Sequence, residues 1–64
     1  MQMKWNRPTL SEVNQAMDKA GGTMNVSRLL QKSRDTVRKW RTGKNNIDFA
    51  NWEMLNSYND GVWR

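Results

Sequence analysis

"NVSRLLQKSRDTVRKW", residues 25–40, decides how this chain folds. Val26, Leu29 and Leu30 share one face of a helix expected from about Met24 to Gln31, while Arg28 and Gln31 point away from it. "QKS" interrupts the apolar pattern, and Ser33 suits the N-cap of a further helix from Arg34 to about Thr42. At roughly 100° per residue, Val37 and Trp40 lie within about 60° of each other. Arg34, Asp35, Arg38, Lys39 and Thr42 fill the opposite arc. Gly43 is a natural residue to end this helix, with Arg41 and Lys44 near the negative end of its dipole. The stretch therefore predicts two short helices joined by a turn, the first apolar inward and the second basic outward.

Upstream, Met1 to Arg7 reads as an arm, and Pro8 suits the entry to a helix because it has no N–H to satisfy and a fixed φ. Thr9 and Glu12 in "TLSE" form a capping box, each side chain serving a backbone N–H left free at the helix start. Leu10, Val13, Met17 and Ala20, with Ala16 beside them, then recur at helical spacing and predict one apolar stripe until Gly21 and Gly22 stop it. Downstream of "TGKNN", Asp48 suits the N-cap of a helix to about Tyr58. Phe49, Trp52 and Leu55 predict its core stripe, whereas Ala50, Met54 and Tyr58 lie on another side. That second stripe reads either as a self-association surface or as a partly exposed Met and Tyr. In the tail "NDGVWR", Val62 and Trp63 either fold back onto the core or add an edge strand to a dimer. The expected fold is all-α, with four to five short helices: an arm over 1–8, one domain over 9–58 and a tail over 59–64.

Composition narrows the chemistry. Sixty-four residues make one small domain with one core. The chain has no cysteine and no histidine, so it lacks a disulfide framework, a thiolate site, and the commonest general base and metal ligand. Its six acidic residues are scattered singly, without the close acidic pair of a divalent-metal nuclease. An enzyme is not expected, and neither is a catalytic residue, a metal, a cofactor or a small-molecule substrate. No apolar run approaches a membrane span and Met1 to Trp5 lacks a signal-peptide core, so no membrane partner and a cytoplasmic location are expected. Net charge is +5, but residues 28–44 carry +6, with seven basic residues and Asp35, and the remainder carries −1. So concentrated a charge predicts a polyanionic partner.

The same sixteen residues resemble the helix-turn-helix signature of the Cro and phage-repressor class. The match runs through apolar Val26, small Ser27, Leu29 and Leu30, a turn, capping Ser33, apolar Val37 and bulky Trp40. The ending "RKWRTG" is also typical of that class, and "NNIDFANWEML" is similar to the following helix in short phage-encoded members. The resemblance covers roughly residues 9–58 and implies a lambda-repressor-like domain that binds double-stranded DNA as a homodimer. One departure stands in the turn, where the family usually carries glycine and then an apolar residue and this chain has Gln31 and Lys32. Gln31 enters the left-handed region only at a cost, which leaves open a wider or differently built turn.

A major groove about 12 Å wide admits one helix, whose N-terminal half reads base edges. By resemblance, base reading falls on Arg34, Asp35 and Lys39, with Arg38 adjacent. Arg34 suits a bidentate contact to guanine, and Asp35 suits a cytosine amino group. Asp35 equally suits the helix dipole or a pair with Arg38 or Lys39, and a negative charge facing DNA also penalises wrong sequences. Backbone contacts are expected from Thr23, Asn25, Arg28, Lys32, Ser33, Thr36, Arg41 and Lys44. Met54, Tyr58 and Trp63 are the expected dimer contacts. Trp40 and Trp52 lie on apolar faces and read as core residues in preference to base-stacking ones. The implied role is a transcriptional regulator, a repressor of phage or prophage type. Two alternatives stand beside it: an excisionase-like architectural DNA-binding factor, and a protein-binding module such as an antitoxin or host-factor inhibitor.

Overall fold

The computed structural model describes residues 6–61, and all the regular structure among them is helical: α1 (Leu10–Lys19), α2 (Thr23–Leu30), α3 (Arg34–Thr42) and α4 (Phe49–Asn59). Trp5, Val62 and Trp63 lie outside the described residues, and with them the expectations placed on the arm and the tail. The all-α expectation holds, with four helices among the described residues.

Local chemistry sets each boundary. At the start of α1, the Glu12 amide donates to Thr9 Oγ1 at 3.1 Å and the Thr9 amide donates to Glu12 Oε1 at 2.8 Å, closing the capping box. At its end, the Gly21 amide donates to the Asp18 carbonyl and the Gly22 amide to the Met17 carbonyl, at 3.2 and 2.9 Å. That closure needs a left-handed residue, and Gly21 supplies it with φ of 107°. The Asn25 side chain packs against Gly21, and its amide donates to the Ala20 carbonyl. α3 starts on Ser33, whose Oγ accepts from the Thr36 amide at 3.1 Å, and ends at left-handed Gly43.

The turn between α2 and α3 is tight, contrary to the wider form that Gln31 left open. Gln31 adopts φ 56° and ψ 43°, the left-handed region itself. There the Lys32 amide donates to the Ser27 carbonyl at 2.9 Å and the Gln31 amide to the Arg28 carbonyl at 3.4 Å, so α2 ends as a glycine-terminated helix would. These bonds offset a backbone cost of about 1–2 kcal/mol for a residue with a Cβ. Only Gln31, Lys32 and Ser33 separate the two helices.

The core gathers Val13, Ala16 and Met17 of α1 with Ala20 just past its end, Val26 and Leu30 of α2, Val37 and Trp40 of α3, and Leu55 of α4. Ile47, in the loop before α4, is buried as well, although it belongs to no helical stripe. Trp52 and Tyr58 pack against this cluster from its edge. Ser27 is the one buried polar residue among those described, and its hydroxyl is satisfied by donating to the Met24 carbonyl at 2.7 Å.

Three expectations about stripes need correcting. Leu10 is 47% exposed: it sits in the first turn of α1, at the edge of the core, and faces Gly43. Phe49 is 36% exposed and stays out of the buried core, and Leu55 is the one fully buried residue of α4. A spacing of three residues drifts by about 60° per step, so Phe49 lies roughly 120° around the helix from Leu55. By the same arithmetic Tyr58 lies only about 60° from Leu55, and it joins the core instead of a separate outer stripe.

Candidate nucleic-acid interface

α3 is packed through Val37, fully buried, and Trp40, 7% exposed. With those two side chains fixed inward, helical geometry turns Asp35, Arg38 and Lys39 outward, while Arg34 lies at the flank, about 60° from Val37, at the first position of the helix. Arg34, Asp35 and Arg38 are exposed and Lys39 is half-buried. Lys32 in the turn before α3, Lys44 just beyond it and Arg28 on α2 are exposed too. Six cations thus stand on the surface of one continuous helix-turn-helix segment.

Asp35 has a specific partner. Its carboxylate lies 3.2 Å from Lys39 Nζ, one helical turn on, with the acid on the N-terminal side as the helix dipole prefers. Both groups remain in water, the Asp35 side chain at 73% and the Lys39 side chain at 41% exposure. Screening limits such a pair to about 0.3–0.5 kcal/mol. Two expected base-reading residues therefore hold each other weakly on the presented face.

Arg41 stands apart from the other cations. Its Nε donates to Asn14 Oδ1 at 2.7 Å, Nη1 to Thr23 Oγ1 at 3.0 Å and Nη2 to Asp18 Oδ1 at 2.6 Å. Asn14 in turn donates to the Arg41 carbonyl at 2.9 Å and to the Leu10 carbonyl at 3.0 Å. The guanidinium, expected on DNA backbone, is occupied inside the fold, where it ties α3 to α1 and to the first residue of α2. Sequence spacing contains a signal for this, since Arg41 lies one turn after Val37 and only about 40° around the helix from it. Asn14 and Asp18, which complete the network, carry no pattern that singles them out.

Other expected backbone contacts are placed variously. Thr23 is half-buried and accepts from Arg41, and the Asn25 amide caps α1. Ser33 and Thr36 share a hydroxyl hydrogen bond of 2.9 Å at the exposed start of α3. Among these eight residues, Arg28, Lys32 and Lys44 are long exposed cations, and Arg41, Thr23 and Asn25 are engaged with other helices. The expected dimer set also divides: Met54 is 37% exposed on α4, Tyr58 packs against the core, and Trp63 lies outside the described residues.

Charge is segregated along the chain as well as around α3. Residues 45–61 contain Asp48, Glu53 and Asp60 and no lysine or arginine, so α4 and its flanks are purely acidic while residues 28–44 are strongly basic. No family model, curated protein or solved structure matches the chain. No helix among the described residues is long and apolar enough to cross a membrane.

Proposed function

We propose that this protein binds double-stranded DNA through α3, as a homodimeric transcriptional regulator of the phage-repressor type. One observation carries the reading: α3 buries Val37 and Trp40 and turns Asp35, Arg38 and Lys39 outward, with Arg34 exposed at the flank. The short turn before it supports the same reading, because it lets α2 brace α3 from behind while the outer face stays open. In this role Arg34, Arg38 and Lys39 contact base edges, and Arg28, Lys32 and Lys44 grip phosphates and set register. Dimerisation follows from energetics: one small unit spans few base pairs, and two units on a palindrome supply the missing affinity and specificity.

A selection on random duplexes at a fixed, stated salt concentration tests this reading, since salt governs the sequence-independent part of binding. The expected product is a half-site repeated about one helical turn apart. Enrichment of no sequence, or a footprint unchanged by alanine at Arg34, Arg38 and Lys39, would reject it. Met54, exposed on the acidic α4, favours a protein-binding module as the second reading. In that case duplex affinity is weak and sequence-blind, and competition with random DNA abolishes it.

A further inference from the structure

We infer that Asp35 is a specificity-determining residue that works by withholding Lys39 from DNA that offers it no hydrogen-bond donor. This rests on the DNA-binding reading of α3 and adds a mechanism of discrimination to it. The ion pair places an acceptor-only group and a donor-only group 3.2 Å apart on the presented face. Neither is locked there, because the Asp35 side chain is 73% exposed and the Lys39 side chain 41%. The pair can therefore open when a better partner arrives for each member.

What counts as a better partner depends on the base sequence. Guanine N7 and O6, adenine N7 and thymine O4 are all acceptors, and where one of these atoms faces Asp35 the carboxylate meets only repulsion, added to that of the phosphates. Its remaining favourable partner is then Lys39, so the lysine stays on the protein and contributes no contact to the DNA. An amino group at the position that Asp35 reaches, cytosine N4 or adenine N6, reverses this: it donates to Asp35, and the released ammonium moves to a phosphate or a guanine edge. A correct base pair thereby gains two contacts, and a wrong one gains neither. Among the described residues Arg34 and Arg38, the exposed arginines of α3, have no ion pair, and the gate is assigned to Lys39.

The experiment compares the full chain with Asp35→Asn, Lys39→Gln and the double variant, on a random duplex and on the selected site, across a salt series. The pair is exposed, so all four are expected to fold, and circular dichroism checks that they do. Asp35→Asn should raise affinity for random duplex by about threefold to tenfold. It should also steepen the logarithmic salt dependence by about 0.9, the slope of one additional phosphate contact. Affinity for the selected site should rise less or fall, so that discrimination shrinks. In the Lys39→Gln background the gain on random duplex should drop to twofold or less. An unchanged affinity and salt slope on random duplex would overturn the inference, as would a gain of the same size with Lys39 absent, which would mark simple charge repulsion. If none of the four proteins binds duplex DNA in a salt-dependent way, the DNA-binding reading fails, and the gate fails with it.

Discussion

Asn14 and Arg41 bond each other twice: Arg41 Nε donates to Asn14 Oδ1 at 2.7 Å, and Asn14 Nδ2 donates to the Arg41 carbonyl at 2.9 Å. The reciprocal pair clamps the C-terminal half of α3 to α1, so it sets the angle at which the outer face of α3 is presented. Arg41→Ala should lower stability by about 1–3 kcal/mol, because it strands part-buried acceptors on Asn14 and Thr23. Asp18→Ala should cost no more than about 1 kcal/mol, since Asp18 is exposed and its ion pair screened. Urea denaturation measures both. A double-mutant cycle between Asn14 and Arg41 should give a coupling of about 0.5–3 kcal/mol, and additivity would show that the reciprocal bonds contribute nothing.

Gln31 offers a test of the turn. Gln31→Gly removes the Cβ penalty of the left-handed conformation, about 1–2 kcal/mol, but adds the entropy cost of a freer unfolded chain, about 0.5–1 kcal/mol. The net expectation is a gain of roughly 0.5–1 kcal/mol, or a rise in Tm of about 2–8 °C for a domain of this size. Gln31→Ile should lower Tm, because a β-branched side chain tolerates this region worst. Thermal unfolding followed by circular dichroism decides it.

Leu55 is the one fully buried residue of α4, so the hold of α4 on the core depends heavily on it. Leu55→Ala should cost about 2–5 kcal/mol. A chain of this length is stabilised by only about 3–10 kcal/mol in total. Loss of a cooperative thermal transition, or a fall in Tm beyond about 10 °C, is the expected result.

These residues also mark what could be read from sequence and what could not. The capping box at Thr9 and Glu12, the cap at Ser33 and the stops at Gly21 and Gly43 were legible because each is a local event, settled by residues three or four apart. The inward pair Val37 and Trp40 was legible because period alone fixes it. Gln31 was not, since its conformation depends on α2 and α3 closing together and overriding the preference of the residue. The hydrogen bonds of Arg41 were not legible for a related reason: a charge run reads as surface, while its partners Asn14 and Asp18 lie more than twenty residues away. Ile47 escaped periodicity because a loop residue has no period.

The presented face yields predictions that separate specificity from grip. On the proposed reading, Arg34→Ala should cost about 1–3 kcal/mol at the selected site and relax the preference at one base pair. Lys44→Ala should weaken all duplexes alike and reduce the salt slope by about 0.9. Anisotropy titrations on matched and random duplexes over a salt series distinguish these outcomes. Identical behaviour of the two variants would mean that α3 holds backbone only.

Self-association separates Met54 from Tyr58, two residues that sequence placed in one interface. Met54 is exposed on α4, so Met54→Glu should change folding stability by no more than about 0.5 kcal/mol. If α4 forms the dimer contact, the added charge beside Glu53 meets its own copy across a two-fold axis and weakens association at least tenfold. Tyr58→Ala should behave in the opposite way, lowering Tm through lost packing against the core before any effect on association is seen. Sedimentation equilibrium together with thermal unfolding reads both quantities on the same samples. A Met54→Glu protein that associates as the parent does would move the dimer contact away from this face of α4.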